Sequence, residues 1–157
     1  MSPATGQIVI REFQPGDETA FRRLNEEWIT RYFHMEAKDL EALEDPQASI
    51  LEPGGRIFFA TVDGECVGTC ALVPAGASEY EVAKMAVTAR CQGLGIGRRL
   101  LTAVIQAARS AGAHRLHLET NHILTPAIRL YESVGFRHVP AVPSPYVRSD
   151  VSMEMKL

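Results

Sequence analysis

The sequence predicts one mixed α/β domain of the α+β kind, a sheet covered by helices, and three features predict it. Strand-like and helix-like runs follow one another along the 157 residues in the order β, α, α, β, β, β, α, β, α, β, β. An Asp63-Gly64 pair links "RIFFATV" to "CVGTCALV" as a hairpin. Between Leu100 and Ala108 apolar residues recur at helical spacing, so that helix needs an apolar surface to lie on. With 46% hydrophobic and 22% charged residues, the chain suits a single domain over residues 1–157, with residues 1–6 as a flexible tail.

Each element has a local cause. "GQIVIREF" alternates Ile8 and Ile10 against Val9 and Arg11, a strand ended by "QPGD". From Asp17, a candidate cap, Phe21, Leu24, Trp28 and Phe33 recur with helical spacing. A short helix around Lys38 to Glu44 stops where Asp45 precedes Pro46, because proline disfavours helical backbone at the residue before it. After the hairpin, "YEVAKMAV" (80–87) reads as a strand, and strict alternation places Glu81 on the same face as Met85 and Val87. The next helix carries Leu100, Leu101, Val104, Ile105 and Ala108 on one side and Arg98, Thr102, Gln106 and Arg109 on the other, with Gly112 as its stop. "RLHLET" (115–120) alternates as a strand, and Thr125-Pro126 supplies an N-cap and a first-turn proline for a helix that Gly135 closes. "FRHV" and "VSMEMKL" are the last strands, separated by the proline-broken loop "PAVPSPYVRSD".

Composition excludes several functions. A net charge of −3 lacks the basic footprint of a nucleic-acid binder. No stretch has the roughly 18 unbroken apolar residues of a membrane span, and "MSPATGQIVIREF" has no basic run followed by a long apolar one. A soluble, unexported, cytoplasmic protein is expected. Cys66 and Cys70 would lie about 13 Å apart along one strand, too far to bridge, so these and Cys91 are expected to be reduced. The histidines are scattered, and no metal site is expected.

The chemistry concentrates in "RCQGLGIGRRLL", residues 90–101. A strand that runs through glycines into a helix presents unpaired N–H groups at the positive end of the helix dipole, a place suited to phosphate. Arg98 and Arg99 conflict with that dipole, and a bound polyanion would resolve the conflict. The spacing fits neither the G-x-G-x-x-G dinucleotide fingerprint nor the Walker pattern.

Gln92-Gly93-Leu94-Gly95-Ile96-Gly97 resembles the Q/R-x-x-G-x-G/A signature of the GNAT superfamily of N-acetyltransferases. "KMAV" before it, "RRLL" after it and "AIRLYESVGF" further on resemble that superfamily's setting and its second hallmark. The resemblance spans nearly the whole chain. It implies a mixed, mostly antiparallel sheet of about seven strands, splayed in the middle and flanked by about four helices.

The resemblance also implies acetyl-CoA as donor. Its pyrophosphate would lie on the N–H groups of Gly93, Leu94, Gly95, Ile96, Gly97 and Arg98 beside Gln92, and its pantetheine arm along Met85, Ala86 and Val87. A primary amine of a small molecule or peptide would attack the thioester directly, with the Val87 N–H facing the oxyanion. Tyr131, at the family's tyrosine position, would protonate the leaving sulfur. Glu81 resembles the catalytic glutamate of histone-type members, with Glu79 and Glu119 as rivals for the base. Where members often carry asparagine seven places before the tyrosine, this chain has Leu124, and nearby Asn121 is the candidate for that contact.

The acceptor pocket would come from "EEWITRYFHM" and "SPYVRSD", with Trp28, Tyr32 and Phe33 as walls and Arg31 or Arg148 as the clamp for a substrate carboxylate. A homodimer is expected by analogy alone. The rival reading from another class is a CoA-binding sensor that keeps the cradle without turnover. A third is a flavin or nucleotide module.

Overall fold

The computed structural model describes residues 6–157. Of the tail expected over residues 1–6, residues 1–5 lie outside the described residues. Strand β1 (Ile8–Glu12) is followed by helices α1 (Glu18–Tyr32) and α2 (Ala37–Glu44), then by strands β2 (Arg56–Val62), β3 (Glu65–Gly76) and β4 (Glu79–Val87). Helix α3 (Ile96–Ser110), strand β5 (Arg115–Thr120), helix α4 (Thr125–Val134) and strands β6 (Arg137–Val139) and β7 (Val151–Lys156) complete it. The predicted order is observed, with a π-turn over Gln47–Leu51 and a 3-10 turn over Ala89–Cys91 in addition.

The strands form one seven-stranded sheet in the order β1-β2-β3-β4-β5-β7-β6. Every neighbouring pair is antiparallel except β4 with β5, which are parallel. That pair is short, joining Glu79, Tyr80 and Glu81 to Arg115, Leu116 and His117. Beyond Glu81 the strands part. β4 continues to Val87 on β3, and β5 continues to Thr120 on β7.

Two cores cover the two faces. Leu100, Leu101 and Val104 of α3 pack with Leu72, Leu116 and Met153 on one face, which also receives Tyr131 of α4. Phe21 and Leu24 of α1 and Leu43 of α2 pack with Ile57 and Phe59 on the other. The hairpin turn has Asp63 at φ 51° and Gly64 at φ 79°, the left-handed pair that a two-residue turn between twisted strands demands.

Three local expectations are corrected. Asp17 sits at the N-cap of α1 but makes no side-chain cap; its carboxylate instead accepts from Arg11 and from the Gln14 N–H. Leu124, not Thr125, is the N-cap of α4, and Thr125 is already helical.

The third correction moves Glu81. Lys84 adopts φ 54°, and the register slips from Ala71↔Ala83 to Thr69↔Ala86, so Lys84 and Met85 together stand opposite Cys70. This bulge inverts the alternation. Val82 packs into the α3-side core while Ala86 packs into the α1/α2-side core, and Met85 and Val87 turn to the α3 side. Glu81, one position before Val82, therefore lies on the α1/α2 side, opposite Met85 and Val87.

Candidate active site

The parting of β4 and β5 opens a cleft of about 760 Å³. Its first end is the glycine loop. Gly93 (φ 81°) and Gly95 (φ 78°) have open space where a Cβ would stand, so the left-handed backbone alone requires glycine there. Gly97 differs, since a Cβ would meet Leu130 Cδ2 at 3.2 Å. From Gly93 to Arg98 no backbone N–H has an acceptor among the described residues; the next, Arg99, bonds to the Gly95 carbonyl. These N–H groups lie at the positive end of a 15-residue helix with no acidic residue in its first turn. Arg98 reaches Ser133 Oγ (2.8 Å) and Arg99 reaches the Ile8 carbonyl (3.0 Å), so both arginines bend away from the helix start.

The middle of the cleft is the free edge of β4. Thr88 N–H bonds to the Val67 carbonyl, toward β3, and the Gln92 amide donates to the Val87 carbonyl (3.2 Å) from outside that ladder. Since bonding direction alternates along a strand, the backbone groups of Val87 and Met85 face the gap. Tyr131 reaches it from the α4 side, only 8% exposed and packed edge-on against Phe136 with ring centroids 6.1 Å apart. Burial pushes its phenol up, with the Cys70 thiol adding to the effect, so it remains an O–H donor at neutral pH.

Glu81 reaches the gap from the opposite side of the sheet. Burial pushes its carboxyl up to about 7; Glu119 pushes the same way, and Lys84 and Lys38 oppose it. Neither Glu81 nor Glu119 has a side-chain hydrogen bond among the described residues, although both line the cleft. Glu79, the other rival base, does not line it and pairs with Arg115 (3.4 Å).

The far end is closed by a buried ionic knot. Asp39, fully buried, accepts a fork from Arg148 (2.7 and 2.6 Å), a bond from Lys84 Nζ (2.8 Å) and the Glu36 N–H (2.9 Å). Burial alone would raise the Asp39 carboxyl, but the bonds from Arg148 and Lys84 hold it at about 2. Lys84 also bonds the Tyr146 hydroxyl (3.1 Å), and Arg148 stacks over the Tyr146 ring at 4.5 Å.

Several expected site residues meet in the cleft and others do not. Trp28, Tyr32 and Phe33 line it, as do Met85, Ala86, Val87, Gln92, Gly93, Gly95, Ile96, Gly97 and Arg98. Leu94 does not; its side chain is 38% exposed. Arg31 is also outside, stacked over the Tyr32 ring at 5.3 Å. Arg148 lines the cleft, but its fork is taken by Asp39 rather than held open for a substrate carboxylate. Asn121 lines it too, while its amide donates to the Arg148 carbonyl (2.7 Å) and its oxygen accepts the Ile123 N–H (3.0 Å), which makes it a brace between two loops.

No local signal in the sequence marks Asp39 or Lys84, and Tyr146 stands out only as part of the expected pocket segment "SPYVRSD". Asp39 looks like any solvent-facing acid in "KDLEALE", and its cationic partners lie 45 and 109 residues away. The three cysteines are free, and no group of three or more His, Cys, Asp or Glu among the described residues converges on a metal position. No helix among the described residues is long and apolar enough to cross a membrane.

Comparison with known proteins places this geometry. The model of the acetyltransferase (GNAT) family matches residues 19–136. The chain is 35% identical over 131 residues to the mycothiol acetyltransferase of Thermomonospora curvata, covering 82% of this chain and 44% of that protein. It is 33% identical over 112 residues to the N-acetylaspartate synthetase of Rattus norvegicus, covering 69% of this chain and 35% of that protein. The chain thus spans less than half the length of these relatives. A GNAT-family acetyltransferase from Staphylococcus aureus Mu50 superposes with a TM-score of 0.87 at 20% identity, covering 96% of this chain and 99% of that one. PaiA N-acetyltransferase from Thermoplasma acidophilum, solved in complex with coenzyme A, superposes with a TM-score of 0.78 at 17% identity, covering 96% and 99%. With its N–H cradle, its splayed β4 and β5, and a family match over most of its length, this chain belongs to the GNAT family of acetyltransferases.

Proposed function

We propose that the protein transfers an acetyl group from acetyl-CoA directly to a primary amine of a small molecule or peptide. One observation carries this reading: Glu81 and Tyr131, from opposite faces of the sheet, open onto one gap whose end is a row of unpaired N–H groups. Acetyl-CoA fits those parts. The N–H groups from Gly93 to Arg98 would hold its pyrophosphate, and the free edge of β4 at Met85 to Val87 would pair with its pantetheine amides. Bound there, acetyl-CoA supplies an activated thioester carbonyl.

The chain's own groups divide the remaining tasks. An alkyl ammonium is almost wholly charged at neutral pH, with a pKa of about 10.4, so it must lose a proton before it can attack. Glu81, at about 7, is poised to accept that proton at the α1/α2 side. The Val87 N–H faces the gap where negative charge would develop on the carbonyl oxygen. Tyr131, protonated and without a side-chain partner among the described residues, would give its O–H to the leaving sulfur from the α4 side.

Thiol release from acetyl-CoA, followed across an amine panel, tests the reading. Amine-dependent release is expected, with kcat in Tyr131→Phe lower by about 10²-fold or more and CoA affinity unchanged. Tight acetyl-CoA binding without release on any amine would instead identify a sensor.

A further inference from the structure

The acceptor end of the cleft has an excess of negative charge. Lys84 and Arg148 are the cations nearest its floor, and Asp39 binds both, with Glu36 taking a third contact from Arg148 at 3.1 Å. Lys84 and Arg148 are thus balanced by Asp39 and Glu36. At the rim Lys38 and Glu41 balance each other at 3.6 Å. The remaining charged groups of this end, Glu81 and Glu119, have no salt-bridge partner among the described residues. Aromatic residues share the lining with them: Trp28 and Tyr32, packed at 4.7 Å between ring centroids, and Tyr146.

We propose that the acceptor is a cationic amine on an apolar or aromatic body, with no carboxylate beside the amine. This rests on the acetyl-transfer reading above and narrows it. An ammonium group is drawn by Glu81 and Glu119, and its apolar body finds Trp28 and Phe33 in the lining, while the Tyr32 and Tyr146 rings already carry Arg31 and Arg148. A substrate carboxylate would meet like charge and no open guanidinium fork in the lining of this end, because the Arg148 fork is already on Asp39 and Arg31 lies outside the cleft on the Tyr32 ring. The proton balance agrees with this choice. The ammonium gives one proton to Glu81, the new C–N bond forms as the C–S bond breaks, and the second nitrogen proton ends on the departing sulfur.

The test uses one carbon skeleton with the carboxylate absent, masked or present: phenethylamine, phenylalanine amide and phenylalanine. Initial rates with acetyl-CoA and calorimetry on the CoA-loaded protein are measured together. At low ionic strength kcat/KM for phenethylamine and the amide should exceed that for phenylalanine by about tenfold or more. The gap should narrow with added salt and in Glu119→Gln. Phenylalanine matching or surpassing phenethylamine would overturn the proposal, and so would the absence of binding by all three to a protein that binds CoA. Failure to bind CoA at all would instead overturn the acetyl-transfer reading beneath it.

Discussion

Burial sets Glu81 apart from the chain's other carboxylates. Ion pairs or hydrogen bonds hold Glu12, Asp17, Asp39, Asp150 and Glu154 below their ordinary values, whereas Glu81 is pushed up to about 7 from 4.5. Glu119 faces it from β5, Lys84 from the bulge of β4, Lys38 from α2, and Tyr146 from the loop before β7. Between about 4.5 and 7 the folded protein therefore holds a proton that the unfolded chain releases. Stability from this group is full below the lower value and is lost as pH rises through the upper one, by at most ~3 kcal/mol. Glu81→Gln should accordingly be more stable than the wild type at pH 8 and show no such gain at pH 5, as urea melts at the two pH values would show. In turnover, kcat/KM should rise through about pH 7 on the acid side. Removing the neighbouring charge in Glu119→Gln should move that limb to lower pH.

At the scale of elements, Asp39 ties α2, the β4 bulge and the loop before β7 into one piece. A lysine at φ 54° costs about 1–2 kcal/mol of backbone strain, and the Lys84 bonds to Asp39 and Tyr146 hold it there. The bulge is what separates Glu81 from Met85 and Val87. Asp39→Asn would leave two buried cations short of a counter-charge, and a loss of about 3–5 kcal/mol is expected in denaturant unfolding. The pH sign is opposite to that of Glu81. The Asp39 contribution is present above 3.8 and is lost as pH falls toward about 2, so a wild-type protein losing stability between pH 7 and pH 5 through this knot would contradict the assignment. The helices and the hairpin were legible because each has a local cause, such as the stripe on α3 or the Asp63-Gly64 turn. The bulge was not, since "YEVAKMAV" alternates well enough to pass for a regular strand.

For the molecule as a whole, one parallel pair in an otherwise antiparallel sheet creates the site. Helix α3 carries the chain from the end of β4 back to the start of β5, so these neighbours cannot be joined by a hairpin. They share only three residue pairs before parting, and the glycine loop stands at the mouth of the opening. A ligand held there should stabilise the fold by mass action. CoA at about 100 times its Kd is expected to raise the unfolding free energy by ~2.7 kcal/mol, seen as a higher Tm. Gly95→Ala, forced into φ 78°, should lose most of that shift; an undiminished CoA shift in this variant would place the ligand away from the cradle.

The sequence by itself determined the order of elements, the hairpin, the amphipathic face of α3 and the glycine cradle, because each depends on residues within one or two turns of one another. Tertiary structure alone decided that Glu81 and Tyr131 open onto one cleft from opposite faces of the sheet and that Arg148 is held by Asp39 rather than left open to a substrate. Those outcomes depend on one inverted strand register and on contacts up to 109 residues apart, where burial, rather than residue type, fixes which charges remain free.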